Sequence, residues 1–129
     1  MDIISPDYYP KEEWRAGVMT RMLVSARNGA TQLCLFEQWV DPGIGPPSHH
    51  HAAEEVLTVL AGEAEMWIDD ERAVLRSGQS LIVPANRLHG FRNAGSATLH
   101  IHAVLALPVF EAIYAGSLVQ RWLPDAAAP

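Results

Sequence analysis

Short apolar runs rich in Val, Leu, Ile and Trp, broken every few residues by Gly, Pro, Asn or Asp, extend along the chain without repeats or sustained helical periodicity. That pattern predicts an all-β domain. Val18 to Arg27 and Thr31 to Val40 flank Asn28-Gly29, a pair that readily takes the positive φ angles of a tight turn, so they predict an opening hairpin. Asp41-Pro42-Gly43-Ile44-Gly45-Pro46-Pro47 cannot continue a ladder and is read as a loop. Further strands are predicted at Glu55 to Leu60, Glu63 to Asp69, Ala73 to Leu75, Ser80 to Val83, Gly90 to Asn93 and Thr98 to Leu107. Pro108 ends the last of them, and Phe110 to Ala115 is expected to hold a short helix. The organisation expected is an N-terminal arm (1–17), a barrel (18–107) and a C-terminal tail (108–129) packed on the barrel or on a second subunit.

The polar residues that interrupt this pattern carry the chemistry. The loop delivers the chain into His49-His50-His51, and Glu55 opens the following strand. In extended chain alternate side chains share a face, so without a bulge His49, His51 and Glu55 point one way while His50 and Glu54 point the other. Gly62 is followed after fifteen residues by Gly78, and then by Pro84, Asn86, His89 and Asn93. Three imidazoles and a carboxylate suit a divalent transition metal, and burying them without one would leave polar groups poorly compensated. The competing account is a polar loop that binds metal adventitiously, with His89 packed separately, which leaves the spacing of Glu55 and His89 unexplained.

The spacing Gly43-x5-His49-x-His51-x3-Glu55-x6-Gly62, followed by Gly78-x5-Pro84-x-Asn86-x2-His89-x3-Asn93, resembles the paired motifs of the cupin superfamily of double-stranded β-helix, or jelly-roll, barrels. The first motif is matched at every defined position. The second departs at Asn86, where the family usually has glycine, and asparagine is the residue that best tolerates the left-handed backbone such a turn needs. The resemblance implies an all-β cupin barrel with a short helical or irregular tail, and a metal held by His49, His51, Glu55 and His89. Iron, manganese, nickel, copper and zinc all remain open as that metal. At Asn93 a structural role is expected rather than ligation.

Parity also supplies candidates for a cavity wall. Gln38 shares a face with Phe36 and Val40, Met66 with Ala64 and Ile68, and Phe91 with His89 and Asn93. His100 and His102 share a face of the last long strand, either as a second polar patch near the cavity or on the outer surface. Gln38, Met66, Phe91 and His102 are therefore the candidate substrate-binding residues, with simple core packing the rival reading for Met66. Arg87 is a candidate for the cavity mouth, and Arg92 is expected to point outward.

Composition limits the remaining classes. The chain has 129 residues, enough for one domain with a substantial core. A net charge of −6, with only nine Lys and Arg, argues against nucleic acid and against anionic membranes. There is a single cysteine, Cys34, in an apolar run, which points to a buried thiol rather than a nucleophile. No basic, apolar leader and no long apolar window is present, so a cytoplasmic location is expected. Phosphate-loop, dinucleotide and serine-nucleophile motifs are missing. Three functional classes follow: a small-molecule metalloenzyme, dioxygenase-like first and isomerase, cyclase or lyase next; a non-catalytic ligand-binding or sensing module; and a storage barrel. The apolar residues of the tail, from Val109 to Tyr114 and at Leu118, Val119, Trp122 and Leu123, lead to the expectation of a homodimer.

Overall fold

The computed structural model describes residues 1–124, and eleven strands dominate it. In chain order they are β1 (Glu12–Arg15), β2 (Val18–Val24), β3 (Cys34–Val40), β4 (Glu55–Ala61), β5 (Glu63–Ile68), β6 (Glu71–Arg76), β7 (Ser80–Val83), β8 (His89–Asn93), β9 (Leu99–Leu105), β10 (Phe110–Tyr114) and β11 (Ser117–Arg121). A six-stranded sheet in the order β1-β2-β3-β9-β4-β7 faces a three-stranded sheet, β6-β5-β8, and β10-β11 forms a separate hairpin. All the pairings are antiparallel. This is the jelly-roll sandwich that the motif resemblance implied. Among the described residues no helix is long and apolar enough to cross a membrane.

The alternation in the sequence becomes the alternation of the sheet faces. On β9, Leu99, Ile101, Ala103 and Leu105 are buried while His100, His102 and Val104 lie on the other face, half-buried. On β3 and β4 the inward sets include Phe36 and Val40, and Leu57 and Val59; the facing sheet adds Ala64, Met66, Leu75 and Phe91 to one continuous core. Cys34 is fully buried there, and burial pushes its thiol up to about 12, which leaves it inert as a nucleophile.

Three expectations are corrected. The opening hairpin exists, with Val24 opposite Leu35, but its strands end earlier than predicted, because Ser25 caps a single 3-10 turn at Ala26–Asn28. Asn28 serves that cap through its side chain, and Gly29 alone takes the positive φ. The expected helix at Phe110 to Ala115 is instead strand β10, which turns into β11 through Ala115-Gly116, both at positive φ. Positive φ at both central residues gives the primed turn whose twist suits a hairpin, and the buried Phe110 and Ala112 alternate as a strand requires. Finally, the first seventeen residues are more than an arm, since β1 extends the large sheet.

Candidate metal centre

Two antiparallel contacts bring the histidines together. The loop from β3 runs beside β8: Gly43 donates to Asn93 O at 3.0 Å, Asn93 N to Ile44 O at 2.8 Å, and His49 and His89 exchange both backbone bonds at 2.9 and 2.8 Å. Residues that exchange both bonds lie directly opposite, so their side chains leave the ladder on the same face. His51 is tied to the turn before β8, with Asn86 N donating to its carbonyl at 2.7 Å. Asn86 sits at φ 64°, the left-handed backbone its place in the motif demands. Asn93 has the structural role expected, since its amide donates to Val40 O and Ala97 O and its oxygen accepts from Gly95 N.

One nitrogen of each imidazole is claimed by main chain. Nδ1 of His49 donates to Pro47 O at 2.8 Å, Nδ1 of His51 to Glu111 O at 2.6 Å and Nδ1 of His89 to Arg87 O at 2.9 Å. A carbonyl can only accept, so each ring carries a proton on Nδ1 and, when neutral, presents the Nε2 lone pair. The three rings are buried, and their ligand atoms lie within 4.8 Å of one another. Glu55 joins them unevenly. Its Oε1 is 3.2 Å from His89 Nε2 and 3.4 Å from His51 Nε2, whereas His49 lies outside that contact. His50 and Glu54 take no part, although bends at Ala52 and Ala53 interrupt the extended chain that the parity reading assumed. His50 bonds through its backbone to Ile113, and Glu54 is exposed.

The residues present fit a metal ion. His51 Nε2 is buried with no hydrogen-bond partner, and such an orphan lone pair is expensive unless something fills it. Nitrogen donors fixed by hydrogen bonds on their far side, with a carboxylate at hand, match the needs of divalent iron, manganese, nickel, copper or zinc. The electrostatics agree. Burial, with His89 nearby, lowers His49 to about 3, so it stays neutral. Burial alone would raise Glu55, but the adjacent His51 and His89 rings outweigh it and hold the carboxyl at about 2. Burial works against a charged His51 too, yet the Glu55 carboxylate raises it above the ordinary imidazole value.

His49, Glu55 and His89 form one wall of a narrow cavity of about 30 Å³, room for about two ordered waters. Aromatic rings make up much of the remainder: Trp14, Phe36, Phe91, Phe110 and Tyr114. Of the sequence candidates, Gln38 and Phe91 line this cavity, and Gln38 donates to Thr20 at 3.2 Å. Met66 does not. It is 1% exposed and spends its surface on the core, the rival reading given for it. His102 is also displaced, because the inner face of β9 belongs to Ile101 and Ala103 while His100 and His102 point outward. On that outer face His100 stacks on Trp39 at 4.7 Å and lies 3.4 Å from Glu37. Arg87 pairs with exposed Asp69 instead of reaching the cavity mouth, and Arg92 pairs with Glu65 on the surface.

The sequence reading missed the residues that the two chain ends supply. Trp14 and Arg15 come from β1, Phe110 and Tyr114 from β10, and Tyr114 stacks on His49 with centroids 4.9 Å apart. Burial raises the Tyr114 phenol above its usual range, with Arg15 partly offsetting it. The tail also closes its own barrel, since Phe110, Ala112 and Trp122 are buried within the chain. The apolar surplus that suggested a second subunit is therefore mostly spent internally, leaving Leu118 and Leu123 exposed.

Known proteins share both sequence and fold with this chain. Protein SchB from Streptomyces halstedii is 35% identical over 94 residues, covering 72% of this chain and 68% of that protein. Polyketide synthase CurC from Streptomyces cyaneus is 33% identical over 82 residues, covering 63% of this chain and 53% of that protein. Among solved structures, the polyketide cyclase RemF from Streptomyces resistomycificus superposes with a TM-score of 0.73 at 21% identity, covering 97% of this chain and 88% of that one. A family model described as a cupin domain matches residues 36–105, the stretch that holds all three histidines and Glu55, and the chain thus belongs to the cupin family.

Proposed function

We propose that this protein is a metal-dependent cupin enzyme that closes a ring in a small polyketide-like substrate, with His49, His51, His89 and Glu55 as the metal ligands. The observation that carries the reading is the convergence of three Nε2 lone pairs, each fixed by a main-chain carbonyl, beside an aromatic-walled cavity open to solvent. The names of two similar proteins, a polyketide synthase and a polyketide cyclase, favour cyclisation over the dioxygenase-like oxidation that ranked first from sequence.

A divalent metal in this cradle supplies a Lewis acid that polarises a carbonyl or enol oxygen. The protein's own residues do the rest. The half-buried rings of Trp14 and Tyr114 suit a flat, conjugated body, and the buried rings of Phe36, Phe91 and Phe110 keep bulk water from the reacting end. With its carboxyl held at about 2, Glu55 stays anionic at neutral pH and acts as ligand or hydrogen-bond acceptor, not as a proton store. Tyr114, kept protonated by burial, can donate to an oxygen that gains charge as the ring closes. The cavity is too small to swallow a polyketide whole, so the reacting group enters by displacing water while the body lies across the mouth.

The test combines elemental analysis with turnover. Tag-free protein reconstituted with iron, manganese, nickel, copper or zinc should hold metal near stoichiometrically, and His51→Ala and His89→Ala should each lose it while remaining soluble. The loaded protein should convert a linear aryl poly-β-ketone to a cyclised product, followed by absorbance, without consuming oxygen. Oxygen uptake coupled to substrate loss would return the reading to oxidation. Failure to bind any metal after reconstitution would sink the metalloenzyme reading altogether and favour a binding module.

A further inference from the structure

We propose that Arg15 is a specificity residue that selects substrates bearing a carboxylate on an aromatic body, which its guanidinium reads in the cavity in place of the metal. The inference rests on the reading of this cavity as the substrate site and adds the chemical class that enters it.

The first observation is how Arg15 reaches the cavity. On β1, Glu12 pairs with Thr20 and Glu13 with Met19, yet it is Arg15 that pairs with Val18. One extra residue is thus accommodated between Glu13 and Arg15, which is a β-bulge. In a regular strand the consecutive residues Trp14 and Arg15 would point to opposite faces. Here both line the same cavity, together with Val18. The bulge therefore turns a guanidinium inward that regular pairing would send to solvent.

The second observation is the absence of an ionic partner. Arg21, Arg72, Arg76, Arg87 and Arg92 each pair with a carboxylate, but among the described residues Arg15 enters no such pair. Its neighbours are aromatic faces, with the guanidinium carbon 5.6 Å from the Trp14 centroid and 5.7 Å from that of Tyr114, near the outer limit of about 6 Å for a cation–π contact. Among the described residues Arg27 and Arg121 also enter no ion pair, but neither lines this cavity, so Arg15 is the arginine that brings an unpaired charge to it. A guanidinium offers a planar fork of donors that matches a carboxylate two bonds at a time, and the rings beside it suit the flat body that would carry that carboxylate.

Zinc-loaded protein should bind benzoate more tightly than benzamide, measured by isothermal titration calorimetry, since the two differ in charge and hardly in shape. Arg15→Gln should reduce benzoate affinity roughly 10-fold or more while leaving that for benzamide within about twofold, the scale of a lost charge-assisted hydrogen bond. Zinc content should not change, and Arg15→Lys should restore part of the preference. If Arg15→Gln keeps the full preference for benzoate, the metal reads the carboxylate and the inference fails. It fails equally if the wild type binds the two probes alike. If neither protein cyclises the poly-β-ketone but the benzoate preference depends on Arg15, the proposed reaction falls and the assignment of Arg15 stands.

Discussion

Gly45 shows how little room the metal cradle leaves its own backbone. A Cβ there would lie 1.9 Å from the carbonyl oxygen of Phe91 and 2.7 Å from the Cα of Arg92, so an alanine would have to push β8 away from the loop that carries His49. Gly43, two residues earlier, is at φ +78° with nothing within 4 Å. Gly45→Ala is therefore expected to cost more than about 2 kcal/mol and to lower metal occupancy, while Gly43→Asn, which keeps a residue tolerant of left-handed backbone, should cost about 1 kcal/mol or less. Urea unfolding and elemental analysis of the two variants check this contrast. Glu55 gives a second expectation at the same scale. Its carboxyl falls from 4.5 to about 2 on folding. The unfolded chain then binds more protons than the folded one between those values, so the stabilisation is present above about pH 4.5 and is lost as the pH falls towards 2. In the metal-free protein Glu55→Gln should remove up to about 3 kcal/mol of that acid dependence, as read from urea midpoints across the window. The lowered pKa of His49 acts in the same direction between 6.5 and about 3, and its share should survive in the variant.

Among the elements, the C-terminal hairpin carries more function than its position suggests. Phe110 meets Trp14 edge-on at 4.7 Å and His51 at 5.6 Å, and the next residue, Glu111, supplies the carbonyl that fixes the His51 ring. Phe110→Ala should therefore cost about 3–5 kcal/mol, as large-to-small core changes do. It should also weaken metal binding roughly 10- to 100-fold, as loss of outer support does. Thermal melts and competition with a metal chelator measure the two effects separately. This hairpin also marks where legibility ended. Five residues ending at a tyrosine are too few for periodicity to separate strand from helix, and the Ala115-Gly116 turn lacks the asparagine or aspartate that would have announced it. The bulge in β1 was hidden for another reason, since it exists only in the register between β1 and β2. His49, His51 and Glu55 could be read from their motif spacing, even though bends at Ala52 and Ala53 break the extended chain that a parity argument needs. Met66 and His102 show the limit of that argument, for parity names a face but not which part of the face borders the cavity.

Across the whole molecule the labour is divided by position in the chain. The segment matched by the family model, 36–105, holds His49, His51, Glu55 and His89, while Trp14, Arg15, Val18, Phe110 and Tyr114 reach the cavity from outside it. The ends are bound into the body by long-range contacts, among them the indole of Trp122 donating to Glu12 across 110 residues of sequence. Because the ligands come from the loop, β4 and β8, metal binding should stabilise the fold as a unit. Free metal at a hundred times its dissociation constant should add about 2.7 kcal/mol, seen as a rise in Tm that a chelator reverses and that His51→Ala abolishes.

The three Nδ1 bonds have a wider consequence. Their acceptors are carbonyls of Pro47, Arg87 and Glu111, so the hydrogen bonds that orient the rings are set by main chain and not by side-chain identity. Substitutions at Trp14 and Arg15 on β1, which make none of these bonds, can then accumulate without unsettling the cradle. A lineage built on this plan can exchange one substrate for another by editing its first strand, while inheriting the reactive centre intact.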